Sequence, residues 1–250
     1  MPRRHLRRYQ APEWWPIYTK ETTWAVRPSP GPHPLGSSLP LAMLVRDVLR
    51  YAKTLREARY VIGKGLIKVD GVVRRNYKFP VGLMDVIEIV PTGEVYRMMP
   101  HPTKFLWPIP IGKEEARYKL CRIENKTMVK GGQIQLNLHD GRNIQLSYEE
   151  GSKYSTLGSV LVDLEENRVL DSVKLEVGAL GLVVNGRNVG YYGKITEMIQ
   201  THIRRMGTAV IVTEDGKEVR TIIDYLFVIG REKPLVTITP PKETTQVQGQ

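Results

Sequence analysis

Three Asp-Gly dipeptides, Asp70-Gly71, Asp140-Gly141 and Asp215-Gly216, constrain this chain more than any other feature, because each stands between β-prone runs. Asp and Gly both tolerate the left-handed backbone that a tight hairpin turn demands. Leu66 to Val69 and Val72-Val73 flank the first dipeptide. Gln133 to Leu138 and Asn143 to Leu146 flank the second, and Ala209 to Thr213 and Val219 to Ile223 the third. Further short strands are expected at Val86 to Val90, Val95 to Met98, Lys119 to Ile123, Val160 to Leu164, Arg168 to Val173 and Leu226 to Ile229. Short strands with frequent turns indicate small β-barrels or sandwiches.

Helical periodicity is confined to one stretch. Leu41, Leu44, Val45, Val48 and Leu49 repeat at helical spacing, with Ser38 able to cap and Pro40 suited to a first turn. A second helix starts at Thr54, where Glu57 three residues later completes a capping box. Its inner stripe is Ala58, Val61 and Ile62, and Gly63-Lys64-Gly65 stops it. Helix, helix, hairpin and strand make a compact α+β module over residues 39–99. Pro100, Pro102, Pro108 and Pro110 mark a boundary or a long surface loop. Beyond it, residues 100–173 and 174–231 read as two mainly β domains, and the polar, Pro-rich residues 232–250 as a flexible tail. The fold class is α+β, multidomain.

Residues 1–38 read as an arm. Four arginines (Arg3, Arg4, Arg7, Arg8) precede Trp14, Trp15 and Trp24, and Arg27-Pro28-Ser29-Pro30-Gly31-Pro32-His33-Pro34 forms a stiff, extended strap. At least two of the tryptophans are expected to anchor the arm on the protein's own core. Arginine-rich segments often fold on binding, so the free arm is expected to be disordered.

The net charge of +11 is concentrated in front. Residues 1–100 hold 17 Lys+Arg and 8 Asp+Glu, a balance of +9, and residues 101–250 hold 20 and 18, a balance of +2. Such a local excess attracts polyanions and gains affinity by releasing their counterions. Guanidinium groups interleaved with flat rings suit RNA, because they can meet phosphates while the rings stack on bases.

Other classes are disfavoured. No apolar run approaches the roughly 18 residues of a transmembrane helix, and the N-terminus is too basic for a signal peptide. One cysteine, Cys121, excludes a disulfide framework and a Cys-cluster zinc site, and it is expected to be a small buried residue in a cytosolic protein. No phosphate-binding loop, serine elbow or metalloprotease motif is present, the five histidines are scattered, and no carboxylate pair has a distinctive setting. No catalytic residue, metal, cofactor or small-molecule substrate is expected.

The residues also carry a resemblance. Leu39-Pro40-Leu41, Arg56-Glu57-Ala58, Gly65 to Gly71 and Phe79 to Ile87 resemble the S-four-type RNA-binding motif. More narrowly, they are similar to its version in the e-type S-four family of the small ribosomal subunit of archaea and eukaryotes. The Trp-bearing arm, including Arg27-Pro28 and Gly31-Pro32-His33, resembles that family's N-terminus, and Glu114 to Cys121 its central β domain. Val177-Gly178 through Gly186-Arg187-Asn188-Val189-Gly190 to Ile195 resembles its KOW motif, a glycine-turned hairpin in what would be a small barrel. Tyr191 and Tyr192 depart from the family pattern, which favours a basic residue beside an apolar one, and so point to stacking or protein contact there.

The resemblance implies a non-enzymatic structural protein, cytoplasmic and ribosome-bound. Its implied partners are ribosomal RNA and neighbouring ribosomal proteins, with no membrane. Arg46, Arg50, Lys53, Arg56, Arg59, Lys64, Lys68, Arg74, Arg75 and Lys78 are expected to supply the RNA face, with Arg3, Arg4, Arg7, Arg8 and Arg27 of the arm. Gly186 and Gly190 are expected to be backbone necessities of their hairpin. Two alternatives remain at this level: an RNA-modifying enzyme with an S-four-type targeting module, and a KOW-containing factor that binds proteins.

Overall fold

The computed structural model describes residues 5–18, 20–199 and 204–238, with Arg204 described by its backbone alone. Three five-stranded antiparallel sheets succeed one another along the described chain, preceded by the arm.

The arm is packed rather than loose. A two-stranded ribbon pairs β1 (Leu6–Arg7) with β2 (Trp24–Ala25), burying Leu6 and leaving Arg7 and Trp24 exposed. Trp15 is buried, and its indole Nε1–H donates to the Ser38 carbonyl at 3.0 Å. Trp14 donates likewise to Gly36, also at 3.0 Å. Two tryptophans therefore serve as anchors, and Trp24 does not.

Ser38 does not cap a helix. Its hydroxyl donates to the Pro34 carbonyl at 2.8 Å, and Ser38–Pro40 is a strand, β3, pairing with β6 (Pro80–Gly82). The first helix is α1 (Leu41–Met43), which passes into a wider winding over Leu44–Val48, where the Leu49 N–H reaches back to the Leu44 carbonyl. Leu41 to Val45 are all buried, so this element is enclosed rather than laid down on one stripe. Helix α2 (Leu55–Gly63) carries both halves of the capping box between Thr54 and Glu57. It ends with paired bonds, Gly65 N–H to Ile62 and Leu66 N–H to Val61, which satisfy carbonyls the helix itself cannot.

The first sheet is ordered β5-β4-β7-β8-β9, built from β4 (Ile67–Val69), β5 (Val72–Val73), β7 (Val86–Ile89), β8 (Glu94–His101) and β9 (Phe105–Pro110). Asp70 (φ 51°) and Gly71 (φ 75°) make the expected tight turn. The division at 99/100 falls inside β8, and the proline-rich stretch beyond it is a strand: Met98 pairs with Pro108 and Tyr96 with Pro110. A proline has no N–H to offer, which an edge strand with one neighbour tolerates. The break between the first and second sheets therefore lies between Pro110 and Tyr118.

The second sheet is ordered β12-β11-β10-β13-β14, from β10 (Tyr118–Met128), β11 (Ile134–Leu138), β12 (Asn143–Leu146), β13 (Ser159–Asp163) and β14 (Val169–Val173), with a short α3 (Tyr148–Ser152). The third, β18-β17-β16-β15-β19, comprises β15 (Leu180–Val183), β16 (Tyr192–Ile199), β17 (Thr208–Val212), β18 (Glu218–Ile222) and β19 (Leu226–Gly230). Asp140-Gly141 and Asp215-Gly216 lie at hairpin turns of these two sheets.

The three sheets share one apolar seam. Met84 in the turn before β7 and Met99 of the first, Leu120 of the second, and Leu182, Phe227 and Ile229 of the third bury one another, and Val236 joins them. Residues 232–238 are consequently not a loose tail. Val236 is buried, the Leu235 N–H donates to Ile229, and Thr237 donates to Glu115 from both its N–H (2.8 Å) and its hydroxyl (2.5 Å). Glu115 is in turn the ion-pair partner of the fully buried Arg97. Residues 239–250 lie outside the described residues.

Candidate nucleic-acid interface

Helix α2 turns Ala58 and Ile62 to the core, which leaves Arg56, Arg59, Tyr60 and Lys64 exposed. The loop after β5 comes up beside it. The Arg59 guanidinium lies 4.4 Å from the centre of the Tyr77 ring and donates to the Tyr77 hydroxyl at 3.1 Å, while Lys78 reaches the same ring at 5.6 Å. Arg74 stacks on Phe79 at 4.5 Å, and Arg75 passes close to Gly65 at the helix end. Two separated sequence segments thus build one basic, aromatic surface. Among the described residues, the side-chain cations of Arg50, Arg56, Arg59, Lys64, Arg74, Arg75 and Lys78 form no ion pair within 4.0 Å, nor does the Lys53 ammonium, although Glu57 accepts from the Lys53 backbone N–H at 2.8 Å. Cations left without an internal counterion keep their full attraction for an external one.

The other expected cations differ. Arg46 makes a two-toothed pair with Asp47, at 2.6 and 2.9 Å, and this hydrogen bonding raises its pKa against the effect of burial. Lys68 pairs with Glu88 across β4 and β7 at 3.2 Å. Arg8 donates to the Ile17 carbonyl inside the arm. Arg27 is half-buried, and Arg7 is exposed. Arg3 and Arg4 lie outside the described residues.

The Gly186–Gly190 segment has the backbone its glycines imply. Gly186 (φ 84°) and Gly190 (φ 87°) both occupy the left-handed region. A Cβ on Gly190 would also stand 2.8 Å from the Pro102 ring, so this position sets the contact between the third sheet and the β8–β9 turn. Asn188 donates to the Arg220 carbonyl at 3.3 Å, and Arg187 is exposed. Tyr191 and Tyr192 are half-buried. Lys217 covers the Tyr191 ring at 4.6 Å, and Tyr192 packs on the seam.

A buried charge cluster was not legible in the residue pattern. Lys119, fully buried on β10, places its ammonium 2.6 Å from Asp70 Oδ2, 2.6 Å from Asp85 Oδ1 and 3.1 Å from Asp140 Oδ2. Arg142 closes the far side, 3.0 Å from Asp70 and 3.1 Å from Asp140. His33 of the arm lies 3.0 Å from Asp85 Oδ1, and its ring sits where a side chain at Gly82 would collide with it, at 2.3 Å. Backbone N–H groups of Gly82 and Val86 complete the shells of Asp85 and Asp70. Arm, helical module and second sheet thus meet at one ammonium.

The charges shift one another. Burial alone would raise the Asp85 carboxyl, but Lys119 and His33 override it and hold it well below the carboxylate range. Asp140 is held at about 2 in the same way, against burial, mainly by Lys119. At Asp70 burial wins and the pKa rises, while Lys119 is driven well above the usual lysine value because three carboxylates outweigh its desolvation. Removing one partner from such a group leaves buried charge uncompensated, at a cost of about 3–5 kcal/mol.

The same neighbourhood brings ligand atoms of Cys121, His139 and Asp140 within 4.8 Å of one another. This set is poorly suited to a metal ion. The Lys119 ammonium already fills the cationic role at Asp140 Oδ2, and burial, with Asp140 beside it, pushes the Cys121 thiol up, away from the thiolate that a metal needs. His139 uses both ring nitrogens on backbone: Nδ1 accepts from Arg122 N–H and Nε2 donates to Leu83 O, each at 3.2 Å.

Comparison with known proteins bears on these features. Residues 92–169 match the family described as Ribosomal family S4e, residues 1–36 the RS4NT (NUC023) domain and residues 39–87 the S4 domain. The chain is 54% identical over 235 residues to small ribosomal subunit protein eS4 of Caldivirga maquilingensis, covering 94% of this chain and 99% of that one. It is 53% identical over 238 residues to the eS4 protein of Pyrobaculum aerophilum, with the same coverage. The eS4 protein of Ignicoccus hospitalis is 52% identical over 243 residues, covering 94% of this chain and 95% of that one. The crystal structure of the 30S ribosomal protein S4e from Thermoplasma acidophilum superposes with a TM-score of 0.65 at 30% identity, covering 78% of this chain and 95% of that one.

Proposed function

The chain belongs to ribosomal family S4e, and from that premise we propose that it grips ribosomal RNA with the surface formed by α2 and the loop after β5. It is a structural constituent of the small ribosomal subunit and not an enzyme. Its partners are ribosomal RNA and neighbouring ribosomal proteins, and it works in the cytoplasm, bound to the ribosome. Identity above one half with eS4 proteins over 94% of the chain carries this conclusion.

Arg50, Lys53, Arg56, Arg59, Lys64, Arg74, Arg75 and Lys78 are the contacts we assign to the RNA backbone, because their side chains form no internal ion pair, Lys53 alone having a carboxylate, Glu57, nearby. Phosphate neutralisation by these groups positions the module, and RNA shape supplies selectivity. Arg46 and Lys68, engaged with Asp47 and Glu88, contribute less. Gly186 to Gly190 is assigned as a KOW-type turn whose Arg187 alone projects toward a partner, and the third sheet as the corresponding small barrel.

The test is a paired reversal, Arg56→Glu with Arg59→Glu, in the full-length protein. Both side chains are exposed, so the fold should persist while affinity for small-subunit rRNA falls at least ten-fold at moderate salt. With about six phosphates neutralised, log affinity of the unaltered protein should fall with log salt at a slope of about −4 to −5. Unchanged binding by the double variant would reject this face.

A further inference from the structure

We propose that Trp24, Arg7 and Tyr9 form a stacking platform for one unpaired base of ribosomal RNA, with the Arg7 guanidinium placed to meet its phosphate. The proposal rests on the RNA-binding reading above and adds a second, chemically different contact to it.

Arg7 and Trp24 are direct cross-strand partners in the β1–β2 ribbon. Because Leu6 turns inward, both project from the solvent face. The Arg7 guanidinium lies 5.7 Å from the centre of the Trp24 ring and 5.9 Å from that of Tyr9, bridging the two. The His5 ring stands 5.5 Å from Trp24, tilted by 56°. Tyr9 is 72% exposed and Trp24 55%. Both other tryptophans of the arm spend their indole N–H on a backbone carbonyl of the chain, but among the described residues no hydrogen bond holds that of Trp24.

An indole kept this open, with a guanidinium held against it, is arranged for a flat, electron-rich partner carrying negative charge. A nucleotide has both properties. Charge complementarity favours it over a protein surface: residues 1–38 hold six Lys+Arg (Arg3, Arg4, Arg7, Arg8, Lys20, Arg27) against Glu13 and Glu21, a balance of +4. The base must come from a loop, bulge or end, because bases inside a duplex are already stacked on one another.

The experiment uses full-length protein and a transcript of the cognate small-subunit rRNA, with base-resolved chemical probing and affinity measured in parallel. Trp24→Leu should lose protection at one or two unpaired nucleotides and weaken binding roughly five- to one-hundred-fold. Trp24→Phe should keep most of both, and Tyr9→Ala should lose an intermediate share. Trp24→Leu should leave the salt slope unchanged, while Arg7→Ala should lower it by about one. Unaltered thermal melting of Trp24→Leu shows that the loss is one of contact.

Trp24→Leu that binds and protects as the unaltered protein does overturns the platform, as does an affinity loss that Trp24→Phe fails to restore. Retention of Trp24-dependent binding to subunit particles after nuclease digestion also overturns it, in favour of a protein contact. If the Arg56/Arg59 reversal still abolishes binding in that case, the main RNA face stands and only the platform fails.

Discussion

Protonation of His139 is one source of acid instability in this protein. Burial, reinforced by the Lys119 ammonium, lowers its pKa from 6.5 to about 3, and its Nδ1 is already accepting from the Arg122 N–H. The folded state therefore refuses a proton that the unfolded chain accepts, so stability declines as pH falls from about 6.5 toward 3. Asp140, held at about 2 against 3.8, adds a further loss as pH falls below about 4. Asp70, with its raised pKa, opposes both. His139→Gln keeps an acceptor and a donor without the titration. Between pH 7 and 4.5 urea midpoints should fall more steeply for the unaltered protein than for this variant, in which His101, also lowered by burial, still contributes; parallel declines would discard the assignment. The basic residues of α2 were legible in sequence as charges on the outer face of an amphipathic helix. The cluster was not, because its members come from positions 33, 70, 85, 119, 140 and 142 and only folding unites them. One trace existed: Asp85 and Lys119 each interrupt an apolar run, Met84-Asp85-Val86 and Tyr118-Lys119-Leu120. A charge in the middle of a strand-like run is costly unless it is paired.

Elements were readable wherever their determinants are local. The capping box at Thr54 and the Asp-Gly turns depend on residues within a few positions, and they form as expected. Thr54→Ala should cost about 1 kcal/mol by urea unfolding, and since α2 presents Arg56 and Arg59, RNA affinity should drop by less than the charge reversal causes. Strands β3 and β9 were not readable. β3 pairs Leu39 with Val81, a partner far away in sequence, and so a stretch that can cap or start a helix was captured by a sheet. β9 contains two prolines, which argue against a strand unless it lies at an edge, and edge position is a property of the assembled sheet.

At the scale of the molecule, composition anticipated several units but not how tightly they join. The seam of Met84, Leu120 and Phe227, with Lys119 alongside, makes the three sheets one body, so unfolding should be a single transition with equal calorimetric and van't Hoff enthalpies. The C-terminal segment belongs to that body. A chain ending at Lys233 loses the buried Val236 side chain and the Thr237–Glu115 bonds, and its stability should fall by roughly 2–4 kcal/mol in urea. Equal stability of the shortened chain would mean that the segment rests on the body without holding it. Its packing escaped the sequence because residues 232–238 precede a longer stretch whose polar composition dominates the count.

The position of Lys119 also orders events during synthesis. Asp85 and Asp70 leave the translating ribosome 34 and 49 residues ahead of the ammonium that compensates them. Until β10 has emerged, the nascent helical module carries carboxylates that have no cation to bury with and must keep them hydrated. His33 then meets an Asp85 that lacks its ammonium, while the tryptophan anchors of the arm are already in place. Charge compensation in the N-terminal half is thus completed only after the scaffold behind it has been made.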